Sequence, residues 1–257
     1  MFFKKKKPWV RFVNMVPGVE LAHPIIRTQD YSWDVLKNAA KDFKEKLENR
    51  QPHEIVQGTF RCPGISALLK TGFIIPCPGD FIIKTDSKEQ PGGFMWDSLY
   101  KFEEDGGGSL LGFHGPEMLA SYIPFRKDTL STVVKVQTSW RLFSSDDIVF
   151  LQMPIPYPNH TNFTAVHGIL DPQNFVEVNV QLHWHVLDGR TLIKAGTPLC
   201  QLIPIPRELA VDLEVDHINE QEKYANSAWK YLVTYEYLRD MKTFLKNAKK
   251  VKNLINK

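Results

Sequence analysis

Phe175-Val176-Glu177-Val178-Asn179-Val180-Gln181-Leu182-His183-Trp184-His185-Val186-Leu187 alternates apolar and polar residues without a break. Successive side chains on a strand point to opposite faces, so Val176, Val178, Val180, Leu182, Trp184 and Val186 make one apolar face. Glu177, Asn179, Gln181, His183 and His185 make the other, which meets either water or a polar cavity. A strand dry on one side and wet on the other belongs to an antiparallel sheet with a one-sided core.

Outward from this strand, the same grammar repeats. Gly168-Ile169-Leu170-Asp171 supplies a turn before it, and Ala195-Gly196-Thr197-Pro198 supplies one before the apolar run Leu199-Cys200-Gln201-Leu202. Strands are predicted over 132–143, 148–153, 163–169, 175–187, 191–194 and 199–205, divided by Pro, Gly, Asn and Asp. Short strands at that density predict an antiparallel barrel or sandwich. Further strand-like runs occupy 73–75 and 81–83.

Helical spacing governs only the flanks. Val35, Leu36, Ala39, Ala40, Phe43 and Leu47 predict a helix over 30–50 with Asp30 or Ser32 as its cap, and Pro63 to Lys70 predicts a short turn of helix ending at Gly72. Leu238, Met241, Leu245, Ala248, Val251 and Ile255 predict a long C-terminal amphipathic helix, whose apolar stripe suits packing on the chain's own barrel or self-association, with a membrane surface as the alternative. The expected organisation is an N-terminal arm and helix over 1–54, a β-barrel core over 55–210 and a helical appendage over 211–257. Glu103-Glu104-Asp105-Gly106-Gly107-Gly108-Ser109 lacks apolar residues and predicts a mobile insertion in the core.

Composition narrows the function classes. A 43% hydrophobic fraction over 257 residues allows a sizeable core, and the three cysteines, Cys62, Cys77 and Cys200, suggest neither a disulfide framework nor a cysteine-rich zinc site. No apolar run approaches the roughly 20 residues of a membrane span. The opening Met1-Phe2-Phe3-Lys4-Lys5-Lys6-Lys7-Pro8 lacks a signal-peptide core behind its lysines and is expected to be a solvated arm. A net charge of +3 is too small to imply a nucleic-acid binder, although the basic ends offer contact with a phosphate-rich partner.

His183 and His185, roughly 6.5 to 7 Å apart along one strand face, suit a shared divalent metal such as zinc or iron, with His167, His160 or Asp171 completing the set in a cupin-like site. Paired solvent-facing histidines are the alternative. Asp146 and Asp147 follow two serines and suit turn chemistry, and Cys200 lies in an apolar run as a core thiol. No Gly-x-Ser-x-Gly elbow, phosphate-cradling Gly-x-x-x-x-Gly-Lys loop or His-Glu-x-x-His helix is present in the sequence.

The turn Gly168-Ile169-Leu170-Asp171, the strand behind it, and Gly196-Thr197-Pro198-Leu199-Cys200-Gln201-Leu202-Ile203 together resemble the central unit of the dUTPase and dCTP deaminase superfamily. That resemblance implies a β-clip barrel, mainly β and α+β overall, with a trimer as the expected oligomer. It also implies that Asp171 positions a pyrimidine nucleotide and its attacking water. Here Pro172-Gln173-Asn174-Phe175 stands where the superfamily has a tyrosine, an arginine and a glycine, and Pro154-Ile155-Pro156-Tyr157-Pro158-Asn159 replaces its Ser-Gly phosphate motif. The wider set of Arg61-Cys62-Pro63-Gly64, Ser139-Trp140-Arg141-Leu142 and the two motifs above resembles an uncharacterised family encoded by tailed bacteriophages. It implies presence in the host cytoplasm during infection, or in the virion, with phage or host proteins as partners.

Without the phosphate-gripping residues, the expected function is non-catalytic binding or assembly, with no cofactor. Asp171, Phe175, Gln181, His183 and Gln201 are the expected ligand-binding residues. A diverged nucleotide hydrolase or deaminase-like enzyme using Asp171 is the first alternative, and the His183, His185 and His167 metal site is the second.

Overall fold

The computed structural model describes residues 7–49, 62–86, 94–98, 101–102, 108–119, 128–208, 211–213, 215, 220 and 223. The chain forms two compact units, Met1–Glu208 and Leu209–Lys257. Most of the second, including the predicted Leu238 to Ile255 stripe, lies outside the described residues.

In chain order, the first unit runs β1 (Val10–Asn14), α1 (Val19–Ala22), β2 (Ile26–Arg27), α2 (Asp34–Glu48), α3 (Pro63–Leu68), β3 (Phe73–Pro76), β4 (Phe81–Asp86) and β5 (Phe94–Ser98). It continues with β6 (Lys101–Phe102), β7 (Gly108–Ser109), β8 (Leu111–His114), α4 (Pro116–Leu119), β9 (Val133–Ser144), β10 (Ile148–Met153), β11 (Phe163–Ala165) and β12 (Gly168–Leu170). β13 (Glu177–Trp184), β14 (Asp188–Ile193) and β15 (Pro198–Pro206) complete it.

All pairings among these strands are antiparallel. One sheet has the order β1-β9-β13-β11, with β8 also on β9; a second has the order β12-β10-β15-β3-β2; a third is β14-β4-β5; and β6 pairs with β7. The mainly antiparallel β architecture is therefore as expected, but the barrel is not. Closure needs the first and last strands of a sheet to bond each other, and among the described residues each path ends on an edge strand instead.

β13 reproduces its sequence pattern. Val178, Val180, Leu182 and Trp184 are fully buried, whereas Glu177 is exposed and Asn179, Gln181 and His183 are half-buried. The dry faces of the first two sheets meet in one core, where these four join Val134, Val136, Leu142, Phe150, Leu199 and Leu202. Phe163 and Trp184 add a stacked pair with ring centroids 6.2 Å apart.

Three expectations change in detail. Residues 163–169 are two strands, because the chain leaves the first sheet after Ala165 and enters the second at Gly168. Gln152, nearly buried, donates its side-chain amide to the Val166 carbonyl at 2.8 Å and so satisfies the backbone where the ladder breaks. Within the region expected to be an N-terminal arm and helix, residues 10–14 pair with Trp140 to Ser144 as β1, whereas Met1 to Lys6 of the expected solvated arm lie outside the described residues. The first long helix begins only at Asp34; Asp30 closes a 3-10 turn, and Ser32 bonds Asp34 and Lys37 without capping the backbone.

Gly72 fixes how α3 is delivered to the second sheet. Its φ is +86°, and a Cβ there would lie 2.2 Å from the Leu202 carbonyl oxygen. Only glycine accommodates both the backbone angle and the close approach.

Candidate functional site

The polar face of β13 borders a cleft of about 300 Å³. One wall is the face of the first sheet, contributed by Glu177, Asn179, Gln181, Lys135 and His114; the other is β12 with Phe175 and Gln152. Among the described residues β12 pairs only with β10, and Gly168, Ile169 and Leu170 line this space. Exposed Ile169 and Phe175 give the cleft its apolar surface. A volume of this size suits a ligand, whereas the pocket beside Tyr31, Trp33 and His160, at about 20 Å³, has room for about one water.

Ladder register orders the charges. Lys135 stands between Gly112 on β8 and Gln181 on β13, while Glu177 has Arg141 directly opposite. Asn179 also donates weakly to Glu177, at 3.4 Å. Among the described residues Lys135 makes no ion pair.

Asp171 lies in the turn after β12, outside this lining. Both of its carboxylate oxygens accept from the guanidinium of Arg207, Nη1 to Oδ2 and Nη2 to Oδ1, the latter at 2.6 Å. The Gln173 backbone N–H donates to Oδ1 at 3.0 Å, and the Asn174 side-chain amide donates to Oδ2 at 2.9 Å. A carboxylate offers about four lone-pair positions, and four donors occupy them. The hydrogen bonds from Arg207 hold this carboxyl below the usual carboxylate range against the opposing effect of burial, with smaller help from the Gln173 N–H and then from the arginine's charge. Asp171 is thus a knot in the fold, and Arg207, which the sequence reading did not single out, is its partner. The signal available was position alone: an arginine closing the β15 run.

Gln201, expected at the ligand surface, is instead fully buried. Its amide donates to the carbonyls of Leu68 at 2.9 Å and Thr71 at 2.6 Å, where α3 runs out of intrahelical partners. It serves the core. Phe175 and Gln181 do line the cleft, and His183 lies one step beyond Gln181 on the same face.

The three histidines of the metal alternative have different surroundings. His185 Nε2 lies 2.6 Å from Thr164 Oγ1, and His167 is exposed in the bend between β11 and β12. Among the described residues no group of three His, Cys, Asp or Glu side chains could hold a metal. His160 packs on Phe163 with ring centroids 4.3 Å apart, and burial, with a lesser contribution from the charge of His185, pushes its pKa down. Burial pushes the Cys77 thiol up to about 12 and raises Cys200 as well, which keeps both as core thiols.

Fold and cleft together define an open, antiparallel β protein with a mixed polar and apolar groove. Comparison with protein-family models and with curated proteins gives no match to this chain. No helix among the described residues is long and apolar enough to cross a membrane.

Proposed function

We propose that this chain is a non-catalytic binding or assembly protein whose recognition surface is the cleft beside β13. The observation that carries this reading is the state of Asp171. Its acceptor positions are taken by Arg207 and by its own turn, so it has none left with which to orient an attacking water. The cleft, in contrast, offers amides, a lysine and exposed apolar side chains of the kind that bind without chemistry.

The sequence resemblances support a tailed-phage origin and, through the dUTPase-like unit, self-association as a trimer; a virion component is one form of this function. Purified protein incubated with a panel of deoxynucleoside triphosphates and magnesium is expected to give no turnover. Turnover that disappears in Asp171→Asn would overturn the reading in favour of a diverged nucleotide hydrolase. Peptide mass spectrometry of purified particles tests the virion form, which fails if the chain is not detected.

A further inference from the structure

We infer that the cleft takes an extended peptide segment of a partner, running along β13 beside the open edge of β12, with an acidic side chain of that segment at Lys135. This rests on the proposed reading of the cleft as a recognition surface.

Three features point to a peptide. The first is spacing: Glu177, Asn179 and Gln181 recur every second residue on one face, roughly 6.6 to 7 Å apart. That is also the repeat at which an extended chain presents outward-facing backbone N–H and C=O groups on one side. The two amides can each donate and accept, as a peptide backbone requires. The second is the edge: among the described residues β12 has a partner on one side only, and alternate residues of an antiparallel edge strand direct their backbone groups outward. An added strand satisfies such groups without any change in the fold. The third is the apolar surface of Ile169 and Phe175, 58% and 49% exposed, which suits a side chain of the added segment. A single solute would use one amide or the other; an extended chain uses the row.

Charge decides which peptide. Glu177 faces Arg141 across the ladder, whereas the cross-strand neighbours of Lys135 are Gly112 and Gln181, neither of them charged. Gly112 has no side chain to cover the lysine stem, which lies within 3.9 Å of the position a Cβ would take there. Lys135 is therefore the lining lysine with no charged residue opposite it in either ladder, a place for an acidic side chain of the ligand.

The test uses three end-blocked heptapeptides of alternating threonine and valine whose central residue is glutamate, glutamine or lysine, titrated into the full chain labelled for NMR. The glutamate peptide is expected to shift the side-chain amides of Asn179 and Gln181 saturably, to slow exchange of at least one backbone amide within 168–170, and to bind about fivefold tighter than the glutamine peptide. Lys135→Glu, a half-buried side chain whose loss leaves the core intact, should invert the order so that the lysine peptide binds best. No saturable binding at millimolar peptide, or affinities indifferent to the central charge in both proteins, overturns the inference. A parallel cocktail of neutral saccharides and nucleosides separates the two readings: if those shift Gln181 and the peptides do not, the cleft remains a binding site and the peptide assignment falls.

Discussion

Arg207 meets Asp171 with both terminal nitrogens, and the same arginine closes a second turn. Its Nε donates to the Asp146 carbonyl at 2.7 Å and its backbone N–H to the Asp147 carbonyl at 2.8 Å. One residue at the end of β15 thus pins the β9–β10 turn and the turn between β12 and β13. The carboxylate and guanidinium are about one-fifth and one-quarter exposed, so solvent weakens the ionic attraction and geometry supplies much of the effect.

Asp171→Asn and Arg207→Lys should each lower Tm by on the order of 2–4 °C, since lysine cannot reproduce the two-pronged contact. The double variant should lose little more than either single change, because both remove the same pairing. Thermal melts of the four proteins at neutral pH measure this. Full additivity of the two losses would mean that the pair does not act as a unit.

The same pair sets part of the acid limb of stability. The folded carboxyl of Asp171 titrates below its unfolded value, so its contribution is complete above the ordinary carboxylate pKa and is lost as pH falls through the lowered folded one. Denaturant midpoints between about pH 5 and 2 should fall less steeply in Asp171→Asn than in the parent. Parallel slopes would remove Asp171 from the account.

His160 acts in a separate window. Burial lowers its folded pKa, so just below its unfolded value, about 6.5, the unfolded chain binds more protons and stability rises with pH. His160→Phe, which keeps a ring against Phe163, should flatten the stability profile between about pH 5 and 7. The measurement is the same denaturant series, and an unchanged slope there would assign it to other histidines.

How much of this was legible in the chain follows from the range of each interaction. β10 over Ile148–Met153 and the two faces of β13 are written in adjacent residues, because strand alternation is local. The split of 163–169 is not, since it depends on Gln152, fourteen positions earlier in the chain, reaching the Val166 carbonyl. The edge strands β1 and β2 were missed for a similar reason: they borrow their order from β9 and β3. At the site, the polar row of β13 was legible, whereas the Arg207 clamp on Asp171 spans 36 positions and carries no motif. Gln201 misled because its neighbours resemble a ligand-facing strand, while its function is to satisfy the end of a helix 130 positions away.

Gly72→Ala tests the tightest backbone contact in the unit. The new methyl would enter the space of the Leu202 carbonyl at 2.2 Å and force a left-handed angle on a residue with a Cβ. A loss of about 2–4 kcal/mol is expected from strain and overpacking together. Chemical denaturation gives the value, and a change under about 0.5 kcal/mol, the level of a neutral surface substitution, would show that the α3–β3 connection yields.

Two glutamines on neighbouring strand systems separate structure from recognition. Gln201→Met leaves the Leu68 and Thr71 carbonyls without their donor in a buried setting and should cost about 2–4 kcal/mol, on the scale of one to two unsatisfied polar groups. Gln181→Ala removes a half-buried side chain from the wet face of β13, away from the core, and should change stability by no more than about 0.5 kcal/mol. Binding should respond in the opposite order, since Gln181 lines the cleft and Gln201 does not. Denaturation curves and peptide titrations on both variants give four numbers. If Gln201→Met weakened binding more than Gln181→Ala did while both proteins remained folded, the recognition surface would have to be sought on the α3 side of β15 instead.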